Sequence, residues 1–217
     1  MARSGAKRAV GRGSSQGSEE TRRALVAATI DSLRDVGFSG TSAREIARRA
    51  GYNQGLVFYH FGSVTGLLLA ALDEVSALRL TSYRHAVDEA DGLQELVDTA
   101  ESVFREDLDA GYISVLAEMI AGASSTPGLG AEVAARIAPW RTFAADAVRD
   151  TLADTPFSQL LPPDELAHGI VALYLGLEML AHLDGDRDAA LALFERARQL
   201  AGLLGVLGGA SATREEP

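Results

Sequence analysis

Apolar positions recur three and four residues apart along almost the whole chain, the spacing of one face of a helix. Between about 21 and 36, Leu25, Ala28, Thr29 and Leu33 share a side, and Gly37 stops the run. From Ser42 to Ala50 a second face carries Ala43, Ile46, Ala47 and Ala50, and Gly51 ends it. Ser42 with Glu45 three residues on has the form of a capping box, in which each side chain satisfies the other's free amide. Asn53 is placed to cap a short third helix over 54–60, and Ser63 a fourth running to about 82. Amphipathic helices follow at about 93–109, 112–123 and 129–153. Pro139 should kink or break the last, because proline removes a donor and crowds the preceding turn. The stretch "TPFSQLLPP" reads as a loop, and two long helices close the chain at about 164–183 and 187–207. No period-two alternation and no repeat of about 20–50 residues is evident. The pattern therefore predicts an all-α protein of about nine helices.

Composition agrees. Of the 217 residues 37 are Ala and 29 are Leu, both strong helix formers, and no proline precedes Pro127. Residues 1–20 are rich in Gly, Ser and Arg and read as a disordered basic arm, with no signal peptide expected. The complete lack of cysteine excludes disulfides and cysteine metal sites and fits a cytoplasmic location. The apolar stretch 166–183 carries Glu178 and two histidines, so it reads as a buried bundle helix and no membrane is expected.

Charge changes the picture when it is divided. The net charge is −10, yet residues 1–65 hold ten Lys/Arg against five Asp/Glu. The remainder holds ten against twenty-five. Such asymmetry suggests that one end meets a polyanion while the other repels it.

Within the basic part, residues 42–60 form helix, glycine turn, helix. In a helix-turn-helix the second helix enters the major groove with its first residues at base edges. Val57 and Phe61, four apart, should hold that helix against Ile46 and Ala47. Gln54, Leu56, Tyr59 and His60 are then left facing outward. Gln can pair two-fold with adenine, and Tyr and His can donate to phosphate. Gly55 allows close approach, and Arg44 can reach a phosphate or a guanine.

These residues also carry a resemblance. "GFSGTSAREIARRAGYNQGLVFYHFGSVTGLL", residues 37–68, resembles the DNA-binding region of the TetR family of bacterial transcriptional regulators. The marks are the Gly-aromatic pair at 37–38, "TS" at 41–42, "IA..AG" at 46–51 and "FYHFGS" at 58–63. The resemblance implies a homodimer with two reading heads on a double-stranded, pseudo-palindromic DNA operator. It also implies a variable helical body that binds a small-molecule effector and releases DNA. By position it puts Ser42 and Tyr59 on phosphates, Arg44, Gln54, Gly55 and Leu56 at or near bases, and His60 on the backbone. Three positions depart: the family usually has Lys where Val64 stands, often Glu where Thr65 stands, and often Tyr where Phe58 stands. These imply weaker, more arm-dependent binding, or drift that the site tolerates. The expected division is an arm (1–20), a helix-turn-helix domain (21–66), an effector-binding and dimerisation domain (67–207) and a disordered tail (208–217).

The other motifs carry less. "GSSQG" has the form of a hydrolase nucleophile elbow but lacks the strand that motif requires. The four histidines show no metal spacing, and no nucleophile–base pair stands out, so neither enzyme nor cofactor is expected. Phe104, Glu118, Met119, Trp140, Phe143, Tyr174 and Glu178 are the candidates for an effector pocket. Leu166, Ile170, Leu173 and Leu177, then Leu193, Leu200 and Leu204, form the candidate dimer face. Two other readings stay open: a sequence-tolerant DNA-coating protein, or a helical ligand-binding protein without DNA function.

Overall fold

The computed structural model describes the backbone at residues 10–90, 92–153 and 162–212, and side chains over 16–90, 92–153, 162–183 and 185–203. Among these residues there are nine helices and no strand: α1 Val10–Gly40, α2 Ala43–Ala50, α3 Gly55–Phe61, α4 Val64–Asp88, α5 Leu93–Ala110, α6 Tyr112–Ala123, α7 Leu129–Leu152, α8 Pro163–Asp184 and α9 Arg187–Ala212. The expected all-α class is the observed one. The loop expected at "TPFSQLLPP" lies mostly outside the described residues, as do residues 1–9 of the expected arm and 213–217 of the tail.

Three expected boundaries move. Helix α1 begins at Val10, so residues 10–20 are helical where a disordered arm was expected. Once a buried helix is nucleated, each further residue adds a hydrogen bond at little cost, which lets a poor helix-forming stretch propagate. Thr21 Oγ1 donates to the carbonyl of Gly17 within this extension (2.8 Å). Helix α9 likewise continues to Ala212, past the expected end near 207. Pro139 lies inside α7 without ending it. Its ring is exposed, and the carbonyl it leaves without a donor belongs to Ala135, also an exposed residue.

The chain divides into two compact units. One holds residues up to Glu74 with Glu118–Gly130; the other holds Val75–Ala117 and the residues from Ala131 on. The division therefore falls inside α4, not at 66, and assigns the end of α6 to the first unit.

In the first unit α1, α2, α3 and α4 each supply a fully buried residue, Leu25, Ile46, Val57 and Leu67, to one apolar cluster. Burying such side chains contributes about 1.5–3 kcal/mol each. Gly37 breaks the helical path of α1 with φ 70° and ψ −177°, a conformation that favours glycine. The break frees the amide of Phe38, which donates to Glu118 Oε2 at 2.6 Å. The Phe38 ring lies against Gly122, where a Cβ would come within 2.4 Å of it.

In the second unit α5 packs along α9 and also meets α8, which packs on α9 as well. Phe104 of α5 is fully buried, with Phe194 of α9 and Tyr174 of α8 against its ring (centroids 5.2 and 5.4 Å). Arg198 of α9 pairs with Glu101 (2.7 Å) and with Asp98 of α5, and Arg187 pairs with Asp109. Helix α8 is long and apolar enough, by length and composition, to cross a membrane. Its buried Glu178 is instead ion-paired to Arg79 (2.9 Å), the arrangement of a bundle helix.

Candidate nucleic-acid interface

Ser42 caps α2 as expected, its Oγ accepting from the Glu45 amide at 3.2 Å. The reciprocal half of the box does not form. The Glu45 carboxylate is taken by Arg48 (2.7 Å) and Arg49 (2.6 Å), and charge–charge hydrogen bonds outcompete a neutral amide. The bonds from Arg48 and then Arg49 hold the Glu45 carboxyl at about 2, well below its ordinary value. Arg49 also reaches Asp35 of α1 at 2.6 Å. Two of the three arginines of α2 are therefore neutralised within the unit. Arg44 is exposed and has no ion pair among the described residues.

Gly51 ends α2 in the left-handed region (φ 74°), its amide bonded back to Ala47 and Arg48, which sets the turn between the two helices. Asn53 Oδ1 accepts from the Gly55 amide (2.8 Å), so α3 starts one residue later than expected, with Gln54 at its cap position. Gln54 and Gly55 are exposed, and Tyr59 is 77% exposed. His60 is half-buried, edge-on to Tyr59 (4.9 Å) and tilted against Phe61 (6.3 Å). Leu56 departs from its expected outward position. It is half-buried and packs on the cluster around Val57, because a seven-residue helix offers too few inward positions to cover that core alone. Val64, where a lysine was expected, packs on the same cluster. Phe58 is half-exposed. Ser63 Oγ accepts from the Gly66 amide at 2.9 Å and caps α4.

Sequence reasoning missed Arg22. Its guanidinium lies over the Phe61 ring, 5.3 Å from the centroid, continuing the row Tyr59, His60, Phe61 with an exposed cation. Arg22 and Phe61 lie on different helices far apart in the chain, so their pairing leaves no periodic signal; α1 and α3 meet only in the fold.

The candidate effector residues separate. Glu118 is engaged by Phe38 and Met119 is fully buried, both in the first unit. Phe104, Trp140, Phe143, Tyr174 and Glu178 belong to the second. There Arg79, absent from the sequence-based candidates, lies between Asp107 (2.5 Å) and Glu178 (2.9 Å), all three buried. Burial opposes the charge of Arg79, but Glu178 and Asp107 outweigh it and raise its pKa. Asp107 Oδ2 also accepts from the hydroxyls of Tyr83 (3.2 Å) and Tyr174 (3.1 Å). Trp140 donates Nε1 to Ser76 Oγ (2.8 Å) and lies 5.2 Å beneath the Arg79 guanidinium.

On the candidate dimer face Ile170, Leu173, Leu193 and Leu200 are exposed, joined by Leu180, Leu183 and Leu203. Leu166 and Leu177 are half-buried, because the same helix turns Ala167, Glu178 and Ala181 inward beside them. The side chain of Leu204 lies outside the described residues. No group of metal-ligating side chains occurs among the described residues.

Residues 25–71 match the bacterial regulatory proteins of the tetR family. The HTH-type transcriptional repressor Rv3405c of Mycobacterium tuberculosis is 36% identical over 96 residues, 44% of this chain and 50% of its own. The match thus spans about half the length of that curated relative. The HTH-type transcriptional regulator BetI of Cronobacter sakazakii is 29% identical over 176 residues, covering 76% of this chain and 81% of its own. Among solved structures, the transcriptional regulator FadR of Bacillus subtilis, in complex with stearoyl-CoA, superposes with a TM-score of 0.70 at 13% identity. That superposition covers 82% of this chain and 96% of the other, and shows a common fold. Residues 25–71 thus form a helix-turn-helix domain that matches the tetR family of bacterial regulatory proteins, and the helical chain around it shares the fold of a solved transcriptional regulator.

Proposed function

We propose that this protein is a dimeric, DNA-binding transcriptional regulator, a repressor that a small-molecule effector releases from a pseudo-palindromic operator. The observation that carries the reading is the outer face of α3. Gln54 and Tyr59 stand exposed there, and Arg44 of α2 is exposed and unpaired, while Arg48 and Arg49 are spent on internal ion pairs. Gln54 suits an adenine edge, Arg44 a guanine or phosphate, and Ser42, Tyr59 and His60 the backbone. Ser42 Oγ accepts from the Glu45 amide and keeps its hydrogen for a phosphate oxygen.

The exposed apolar stripes of α8 and α9 support a dimer, since single chains rarely leave so much contiguous leucine in water. Two heads so joined would meet successive half-sites about 34 Å apart. An effector favouring a different head spacing would then lower DNA affinity by population shift. A ligand held by FadR, of the same fold, and the repressor role of Rv3405c support that course.

Selection from a randomised duplex pool, followed by a salt titration on the winner, tests this. An enriched pseudo-palindrome is expected. Binding at low salt without enrichment would instead identify a DNA-coating protein, and no binding would leave a ligand-binding protein without DNA function.

A further inference from the structure

Two carboxylates and one guanidinium meet inside the second unit, and not all of their polar atoms find partners. Asp107 is well supplied, its Oδ2 accepting from Arg79, Tyr83 and Tyr174. Glu178 receives only Arg79 Nη2, on Oε1. Its Oε2 is buried without a partner, and so is Arg79 Nε. A buried carboxylate oxygen left unmatched bears its desolvation cost with nothing to offset it. With both carboxylates ionised the cluster is one positive charge short. Around it Tyr83 stands edge-on to Trp140 (5.4 Å) and to Tyr174 (5.8 Å), and ring faces attract cations. Trp140 and Tyr174 retain exposed surface, whereas Glu178 is fully buried.

We propose that Glu178 is the docking point for an ammonium-bearing, ring-stacking ligand, which on the regulator reading above is the effector. A neutral donor would satisfy Oε2 but leave the charge uncompensated; only a cation supplies both. Without it, a proton takes that role. Burial first, with the Asp107 charge adding to it, lifts Glu178 to about 7 against the pull of Arg79. The groups facing Glu178 are Arg79 and Tyr83 from α4, Asp107 from α5 and Tyr174 from α8 itself; Trp140 of α7 does not titrate. Binding of the cation therefore displaces one proton, and affinity falls about tenfold per pH unit below about 7.

Trp140 is the single tryptophan of the chain, so its emission reports on this site. The full chain is titrated with phenethylamine, and with its matched analogues 2-phenylethanol and 3-phenylpropionate. The amine should change the emission saturably and bind at least tenfold more tightly than the alcohol, with the carboxylate weaker still. Glu178→Gln should abolish the preference, and in the unaltered protein the preference should shrink as pH falls below about 7. An absent saturable response, equal binding of alcohol and amine, or a preference that survives Glu178→Gln or ignores pH overturns the proposal. Duplex selection reports separately on the regulator reading. A chain that selects no duplex yet prefers the amine sinks that reading and keeps this site, and a chain that selects a duplex without preferring the amine does the reverse.

Discussion

Gln54, at the cap of α3, and Tyr59 within it lie five residues apart and should fail differently when altered. Gln54→Ala removes a side chain suited to a base edge, and should relax preference at one position per half-site by about 1–3 kcal/mol. Tyr59→Phe removes a hydroxyl suited to phosphate and should weaken all sequences alike. Sequencing the selected pools of each variant separates the two outcomes, and equal loss of specificity in both would refute the assigned roles. Arg22 offers a third contrast. Held over Phe61 beside His60, it is placed to meet a phosphate that Val64, turned into the core, does not reach. Arg22→Ala should lower the slope of log affinity against log salt by about 1 per subunit without changing the preferred sequence.

Among the elements, α7 carries a residue at odds with its own conformation. Pro139 in a continuous helix forfeits one hydrogen bond, and proline in a helix interior is about 3 kcal/mol less favourable than alanine. Pro139→Ala should therefore raise the thermal midpoint, by an amount equivalent to at most about 3 kcal/mol. An unchanged or lowered midpoint would mean that the proline ring contributes packing that offsets the lost hydrogen bond. Helix α8 shows the opposite economy, with two faces of different purpose. Ala167, Glu178 and Ala181 line its inner side, and Ile170, Leu173, Leu180 and Leu183 its outer one.

For the whole molecule, that outer side is the proposed dimer face. Leu173→Arg combined with Leu200→Glu places charges on exposed positions of both helices and should yield folded monomers by sedimentation. A variant that stays dimeric would move the interface elsewhere. Global stability should also respond to Glu178. Its pKa is raised in the folded chain to about 7 from an ordinary 4.5, so the folded state holds a proton that the unfolded state loses between those values. The corresponding stability is complete below about 4.5 and is lost as pH rises through about 7. Urea midpoints of the parent and of Glu178→Gln, compared from pH 4 to 8, should diverge in slope across that window, the variant lacking this part of the fall.

Features that depend on one or two turns of chain were legible from the residues alone. The helix faces, the stops at Gly37 and Gly51, and the caps from Ser42, Asn53 and Ser63 depend on neighbours a few residues away, and spacing alone reveals them. The helix-turn-helix was legible for the same reason. Leu56 was not, because whether it faces core or water depends on how little area a short helix presents to three others. The tertiary structure alone decided the longer pairings. Arg79 reaches Asp107 across 28 residues and Glu178 across 99, and Phe38 reaches Glu118 across 80. No periodicity encodes such partners, since a charged residue on a helix face reads as solvated until another helix covers it. Burial then turns three ordinary charges into a coupled cluster, and the strength of that coupling comes from the exclusion of water, which only the assembled bundle provides.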